Sequence, residues 1–296
     1  MNGETTSFRF DFGATVRAER DGDGEIHRKC ETASSRQCAR ATALDASTLR
    51  YVDDATWVGT YETYGDIEIV RCAPGCAASA LDGCDADADV VPGVYEGGLK
   101  TWECAVDLAT AIARGEIDIG SLKSLGDLHV LELGAGQAVP ALVATRALGG
   151  ACGRLTLTDY NRDVVEEVTA PNAQATMELM KEHGERPPRE MVFLCGDWSG
   201  YDAYVDAGSV DVLLTSESIY DVGQYGSLCA FIAHALSDDG ACYVAAKSYY
   251  FGVGGGTNAF VSYCEKNYDF KVERLKKFSD GKSNVREILV VRKTHD

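Results

Sequence analysis

The sequence predicts an α/β fold built on a doubly wound, mostly parallel sheet of seven strands whose last strand runs antiparallel. Three observations carry this expectation. Apolar strand-like segments recur between Asp127 and Val291, the first five alternate with segments of helical periodicity, and a Gly-x-Gly turn follows the first of them.

An amphipathic helix over Cys104 to Arg114 precedes strands at Asp127 to Leu133, Leu155 to Asp159, Met191 to Cys195, Val210 to Ser216 and Ala241 to Lys247. Between these strands fall helical segments at Ala138 to Leu148, Val164 to Lys181, a shorter stretch around Tyr201 to Val205, and Tyr225 to Leu236. Such alternation implies right-handed crossovers between parallel strands. After the fifth strand come Gly252 to Gly256, a helix near Asn258 to Tyr268, and strands at Phe270 to Leu275 and Val285 to Val291. The Asp280-Gly281 pair between these two strands is a hairpin signal, which turns the last strand antiparallel.

Composition changes near residue 92 and divides the chain into 1–91 and 92–296. The first part reads as an acidic, partly mobile extension, with a linker of small and acidic residues around Ala86 to Asp89. Two pieces of it alternate as half-buried strands do, Phe8, Phe10 and Phe12 in one and Ile67 and Ile69 in the other, and are expected to pack as accessory strands.

The formal net charge of -18 repels phosphate backbones and anionic lipid, so direct nucleic-acid and membrane partners are not expected and a basic protein is accommodated more easily. Solubility alone also explains such acidity. No apolar run approaches the roughly 20 residues of a membrane span. The opening residues lack the basic and apolar regions of a secretory signal, which points to the cytoplasm or nucleus and to reduced thiols for the eleven cysteines. Cys72, Cys76 and Cys84 lack paired C-x-x-C spacing and a fourth ligand, so they read as loop thiols and no metal is expected.

In a doubly wound sheet the ligand lies beyond the carboxyl ends of the strands, where strand order reverses. The first strand ends in Glu132-Leu-Gly134-Ala-Gly136, whose glycines let backbone approach a ligand; a tight strand-to-helix turn accounts for them equally. Val139 stands where a dinucleotide fingerprint needs Gly or Ala, and Glu132 would oppose a pyrophosphate but suits the cationic amino-acid end of S-adenosyl-L-methionine. Asp159 closes the second strand, where an acid accepts from ribose hydroxyls or simply caps a helix. Asp197 and Trp198 close the third, suited to the amino group and ring face of adenine. The fourth strand delivers Glu217 and Tyr220 to the same crevice.

With these residues in place, the chain resembles the seven-strand, Rossmann-like protein methyltransferases, and residues 97–291 resemble the histidine protein methyltransferases that act on a large-subunit ribosomal protein. The resemblance rests on Gly97-Gly-Leu-Lys-Thr-Trp-Glu-Cys104, Asp159-Tyr-Asn161, Glu166-Glu-Val-Thr-Ala-Pro-Asn172, Gly196-Asp-Trp198, Thr215-Ser-Glu-Ser-Ile-Tyr220 and Tyr249-Tyr-Phe-Gly-Val-Gly-Gly-Gly256. It implies that Thr101, Trp102, Glu103, Gly134, Gly136, Asp159, Tyr160, Asn161, Gly196, Asp197, Trp198 and Ser216 hold the cofactor, while Glu217 and Tyr220 face the acceptor. The Tyr249, Tyr250, Phe251, Gly254, Gly255 and Gly256 loop is a candidate substrate lid, and a flexible connection before the next helix accounts for its glycines equally. Ala138 departs from the family's third glycine, and any crowding of the methionine portion by its methyl is expected to bring adjustment rather than loss of binding.

The implied reaction moves a methyl group to a histidine ring nitrogen, the one remote from the side-chain stem, in a basic ribosomal protein met by a monomeric enzyme. A neutral imidazole needs orientation more than deprotonation, whereas lysine must first lose a proton at a cost of roughly 5 kcal/mol. Glu217 is therefore expected to fix the ring tautomer. A lysine-methylating relative, a small-molecule methyltransferase and a non-catalytic binder of the same fold remain as alternatives.

Overall fold

The hydrophobic alternation along the first predicted strand divides its side chains between two cores, Leu128 and Val130 facing one and Leu131 and Leu133 the other. All six residues of Leu128–Leu133 are buried, as befits a central parallel strand covered on both faces. Around it the computed structural model describes residues 40–46, 49, 58–73, 97–279 and 284–294.

In chain order the strands are β1 (Thr42–Leu44), β2 (Gly59–Tyr64), β3 (Ile67–Cys72), β4 (Leu128–Leu133), β5 (Cys152–Asp159), β6 (Glu190–Cys195), β7 (Val210–Ser216), β8 (Leu236–Lys247), β9 (Phe270–Phe278) and β10 (Arg286–Lys293). The helices are α1 (Glu103–Ala113), α2 (Val139–Leu148), α3 (Arg162–Val164), α4 (Ala170–Glu182), α5 (Tyr225–Ala235) and α6 (Thr257–Asn267). The main sheet runs β1-β6-β5-β4-β7-β8-β10-β9. The chain passes outward from β4 through β5 to β6 and returns to the other side of β4 at β7, so the reversal lies at the carboxyl end of β4.

All seven expected strands are present, and β10 is antiparallel to both β8 and β9. The Asp280-Gly281 turn lies outside the described residues, as do the Phe8 to Phe12 segment and the Ala86 to Asp89 linker. β8 begins at Leu236 rather than Ala241, because the polar Ser237 to Gly240 stretch bulges where the register moves from Val210↔Leu236 to Val212↔Ala241. The expected helix over Val164 to Lys181 is divided by a π-helical turn at Val165–Thr169. Pro171, in the first turn of α4, has no N–H to continue the regular ladder.

The eighth strand, β1, is too short for periodicity to reveal. It pairs antiparallel with β6, Thr42 opposite Cys195. Its path explains Gly196, where a Cβ would come within 2.6 Å of the Arg40 carbonyl. The Ile67 and Ile69 alternation belongs to β3, paired with β2 and fastened to α4 by Val70 N–H on Thr176 Oγ1 at 3.1 Å and Cys72 N–H on Asn172 Oδ1 at 2.6 Å. Cys72 is accordingly a buried strand residue rather than a loop thiol, while Cys76 and Cys84 lie outside the described residues. Among the described residues no helix is long and apolar enough to cross a membrane.

Candidate active site

A cleft of about 380 Å³ opens beyond the carboxyl ends of β4, β5, β6 and β7, a volume within the range of small-ligand sites. One wall is the glycine turn. Gly134 and Gly136 have φ of 62° and 48°, left-handed values that glycine tolerates, and both line the cleft. They do different things. Nothing stands within 4 Å of where a Gly134 Cβ would be, whereas a Cβ on Gly136 would come 2.8 Å from the Gly98 carbonyl. Gly136 is thus bare so that the 97–102 segment can cross it.

That crossing is fastened from several sides. Gln137 Nε2 donates to the Leu99 carbonyl at 2.9 Å, Thr169 Oγ1 to the Gly136 carbonyl at 2.6 Å, and Asn172 Nδ2 to Gln137 Oε1 at 2.8 Å. The π-helical turn serves this purpose, since it sets Thr169 over the glycine turn. Trp102 Nε1 donates to the Gly97 carbonyl at 3.0 Å, and Thr101 and Trp102 both line the cleft.

Asp159 is buried at the cleft wall, its Oδ2 accepting the Gly136 N–H at 3.0 Å and its Oδ1 the Asn161 N–H at 3.1 Å. A carboxylate offers about four lone-pair sites, so these bonds orient it without exhausting it. Tyr160 lines the cleft beside it; Asn161 does not and contributes through its backbone. Asp197 accepts from Ser199 N–H and Ser199 Oγ through Oδ1 and so caps the short 3-10 helix Trp198–Ala203, while Asp197 and Trp198 both face the cleft.

Three expected cofactor residues stand elsewhere. Glu132 is fully buried beneath the turn, its Oε2 accepting the Ala141 N–H at the start of α2 at 3.0 Å, and it does not line the cleft. Burial pushes its carboxyl well above the usual range, opposed by the Ala141 N–H and assisted by the Asp159 charge. It is a helix-start acceptor that favours its neutral form, not a surface anion for a cation. Glu103 turns outward toward Arg286 at 3.5 Å, because Arg286 pairs with Asp107 one helical turn on. Gly196 accommodates the β1 strand as described. Ala138 has φ 58° and is buried without lining the cleft, so its methyl does not reach that space.

The opposite wall is built around Glu217. It follows β7 directly, with Ser216 and Glu217 both lining the cleft, and its N–H donates to the Ala245 carbonyl at 2.9 Å. Its φ of 55° is left-handed, an uncommon state for a residue with a side chain and one found where surrounding contacts over-determine it. Those contacts are visible. Glu217 does not cap the turn that follows; Oε2 accepts the Tyr250 hydroxyl, and Lys247 Nζ stands 3.8 Å from Oε1. Oε1 accepts no hydrogen bond among the described residues, although it is buried. Burial, and then the Glu217 charge, push the Tyr250 phenol well above its usual range, so it remains a donor. The same two causes raise the Cys104 thiol.

Tyr220 lines the cleft and packs edge-on to Tyr250 with ring centroids 6.3 Å apart. The loop expected to be a lid is fastened to the segment that follows Glu217. Gly255 N–H donates to the Tyr220 carbonyl at 3.1 Å, Gly256 N–H to the Ile219 carbonyl at 2.9 Å, and Gly254 bridges Asp221. Gly255 is bare because a Cβ there would overlap the Ile219 and Tyr220 carbonyls. Gly255 and Gly256 thus permit close packing, whereas Gly254 serves a left-handed turn at φ 83°. Of the aromatic residues, Tyr250 is buried behind Glu217, while Tyr249 and Phe251 are exposed and pack edge-on to each other at 5.1 Å.

Sequence reasoning assigned no role to Lys247, Gln137 or Val253. A lysine ending an apolar strand, two residues beyond the Ala245 that pairs with Ser216, was the available signal for Lys247, whose side chain is 7% exposed. Gln137 and Val253 line the cleft with no local pattern to mark them.

The fit to S-adenosyl-L-methionine is carried by the donor set: an oriented carboxylate at Asp159, an aromatic face at Trp198, and a buried Thr101 Oγ1 at the cleft that has no partner among the described residues. The chain is 34% identical over 203 residues to the histidine protein methyltransferase 1 homolog of Dictyostelium discoideum, covering 69% of this chain and 60% of that one. It is 34% identical over 221 residues to histidine protein methyltransferase 1 of Schizosaccharomyces pombe, covering 64% and 62%. The chain therefore spans about 60% of the length of these relatives. Among solved structures, a TehB-like SAM-dependent methyltransferase of Corynebacterium glutamicum is similar at a TM-score of 0.42 and 16% identity, covering 61% of this chain and 88% of that one. A family model described as lysine methyltransferase matches residues 93–252. With more than half of its 296 residues so matched, the chain belongs to the lysine methyltransferase family, with S-adenosyl-L-methionine as its cofactor.

Proposed function

We propose that this chain methylates a histidine ring nitrogen, the one remote from the side-chain stem, in a basic large-subunit ribosomal protein. The observation that carries the reading is Glu217 Oε1, a buried carboxylate oxygen at the cleft with no hydrogen bond of its own among the described residues. The histidine protein methyltransferase names of the relatives support the choice of acceptor.

S-adenosyl-L-methionine supplies an electrophilic methyl group on a sulfonium. Asp159 binds its ribose, Asp197 and Trp198 its adenine, and Thr101 its amino-acid end. Glu217 Oε1 accepts one ring N–H of the substrate, which leaves the lone pair on the other nitrogen aimed at the methyl group. The bound cofactor would supply its methyl group to that lone pair and keep the S–C bonding electrons on sulfur. The methylated ring then releases its N–H proton to water. Most of the rate comes from alignment and from excluding water, because a neutral imidazole is already a nucleophile at pH 7.

A net charge of -18 favours a basic partner and speeds its approach, so association should slow as salt is raised. The enzyme acts as a monomer on free ribosomal protein in the cytoplasm or nucleus. A second reading, lysine methylation, is favoured by the description of the matched family and by the affinity of a carboxylate for an ammonium. Incubation of basic ribosomal proteins with labelled cofactor, followed by acid hydrolysis and chromatography, separates the two. Label in a methylhistidine supports the first reading; label only in methyllysine replaces it with the second.

A further inference from the structure

Behind Glu217, at the acceptor end of the cleft but not lining it, stands a cation that orienting a ring does not require. Lys247, the last residue of β8, lies with a side chain 7% exposed, its Nζ 3.8 Å from Glu217 Oε1, 5.9 Å from the centre of the Trp102 ring and 6.0 Å from that of Tyr250. The charged and titratable groups that face this cluster come from four elements. Glu217 follows β7, Tyr250 comes from the loop after β8, Cys104, Glu103 and Asp107 come from α1, and Arg286 sits opposite Lys247 on β10. Arg286 is engaged by Asp107 at 2.5 Å and by Glu103 at 3.5 Å, so its charge is taken up within that trio, which keeps a net negative charge on α1. Tyr250 and Cys104 are held in their neutral forms. In direct contact at the acceptor end are one carboxylate and one ammonium, Glu217 and Lys247, while Asp221 and Lys100 line the cleft further along.

We propose that Lys247 determines acceptor specificity, its positive charge against Glu217 making the site take a neutral ring nitrogen and reject a side-chain ammonium. The inference rests on the reading of the cleft as a histidine methyltransferase site. A neutral imidazole and the sulfonium together carry one positive charge before, during and after transfer, whereas an ammonium and the sulfonium carry two. Glu217 alone would attract the doubly charged pair. With Lys247 beside it, the carboxylate still accepts a hydrogen bond but its charge is offset, and like charges in a low-dielectric site penalise the second cation most. A carboxylate meant for lysine would be expected to stand without such a neighbour.

The test uses the full chain saturated with S-adenosylhomocysteine and two small probes, imidazole and n-butylammonium, with binding measured by NMR titration between pH 5.5 and 8.5. In the wild type, imidazole should bind at pH 8 and lose affinity below about 6.5, as the free base disappears. n-Butylammonium should bind at least tenfold more weakly than imidazole at pH 8. Lys247→Met should reverse the preference, strengthening n-butylammonium about tenfold relative to imidazole, and should allow imidazole binding to persist about one pH unit lower, with S-adenosylhomocysteine affinity unchanged. Equal preferences in Lys247→Met and wild type overturn the inference. If Lys247→Met fails to fold, the wild type decides alone, because stronger binding of n-butylammonium than of imidazole at pH 8 is incompatible with it. Failure of the underlying reading has a separate signature, the absence of methylhistidine from labelled ribosomal proteins, and the probe preferences remain measurable in that case.

Discussion

The two walls of the cleft are made by different means. On the glycine-turn side the contacts run largely through backbone: Asp159 is aimed by the N–H groups of Gly136 and Asn161, and the 97–102 segment is held by bonds to the carbonyls of Leu99 and Gly136. On the acceptor side the contacts run through side chains, with Glu217 set between the Tyr250 hydroxyl and the Lys247 ammonium. A wall made of backbone tolerates change in most side chains and suits a cofactor of fixed shape. A wall made of side chains can be retuned one residue at a time, which is where a choice between acceptors belongs.

Substitutions on the two walls should therefore separate chemistry from cofactor binding. Glu217→Gln keeps the volume of the side chain but loses one acceptor oxygen and the charge. Either Tyr250 or the substrate ring then meets an amide NH2, and the tautomer is no longer fixed. We expect kcat to fall by roughly 10²–10⁴-fold, with S-adenosylhomocysteine affinity unchanged in calorimetry. A full methylation rate in this variant would remove Glu217 from the chemistry. Asp159→Asn should show the reverse pattern. One of the two backbone N–H groups would face an amide donor instead of an oxygen, at a cost of about 1–3 kcal/mol, so cofactor affinity should weaken about tenfold to a hundredfold while kcat at saturating cofactor stays within a fewfold of wild type. Comparable losses in both parameters for both variants would dissolve the distinction between the walls.

The cofactor wall was legible in the sequence because its parts are consecutive: a strand, a glycine turn and a helix start within Glu132 to Pro140, and single acids at the ends of the next two strands. Even so, Glu132 was misplaced. Its position before the turn is clear from the sequence, but whether the carboxylate points into the cleft or at the start of α2 depends on the rotamer packed beneath the turn. Glu217 was found for the same local reason, as the residue after a strand. Its partners were not, since Tyr250 and Lys247 come from the following strand and loop, and the ring of Trp102 from a segment before the sheet begins. In the Gly254 to Gly256 run, conformational freedom and close packing require the same residue: Gly254 has open space and a φ of 83°, Gly255 is bare against the Ile219 and Tyr220 carbonyls, and Gly256 against the Ser248 carbonyl. The short β1 strand left its trace as Gly196, legible only once its neighbour was known.

The side-chain character of the acceptor wall can be sharpened with Tyr250→Phe, which removes one hydroxyl and little else. Lys247 still restrains Glu217, so the carboxylate should lose alignment and not its charge. We expect kcat to drop about tenfold, in line with the loss of one hydrogen bond to a charged group, with the KM for cofactor unchanged. A larger fall than in Glu217→Gln would mean that Tyr250 touches the reacting groups itself rather than acting through Glu217.

The smallest expected effect tests the backbone wall at the point where the sequence suggested a defect. Ala138 holds a left-handed conformation at φ 58°, which costs an alanine roughly 1 kcal/mol relative to glycine. Ala138→Gly relieves that strain, but it gives up a buried methyl worth about 0.8 kcal/mol and frees the unfolded chain by a further 0.4–1 kcal/mol. These contributions nearly cancel, so the melting temperature should move by only a few degrees. The cofactor affinity should also stay within about twofold of wild type, because Ala138 does not line the cleft and its methyl has no path to the ligand. Tenfold tighter binding of S-adenosylhomocysteine in Ala138→Gly would show that the turn shifts when the cofactor enters, bringing that methyl against the methionine portion and making the backbone wall less rigid than its hydrogen bonds imply.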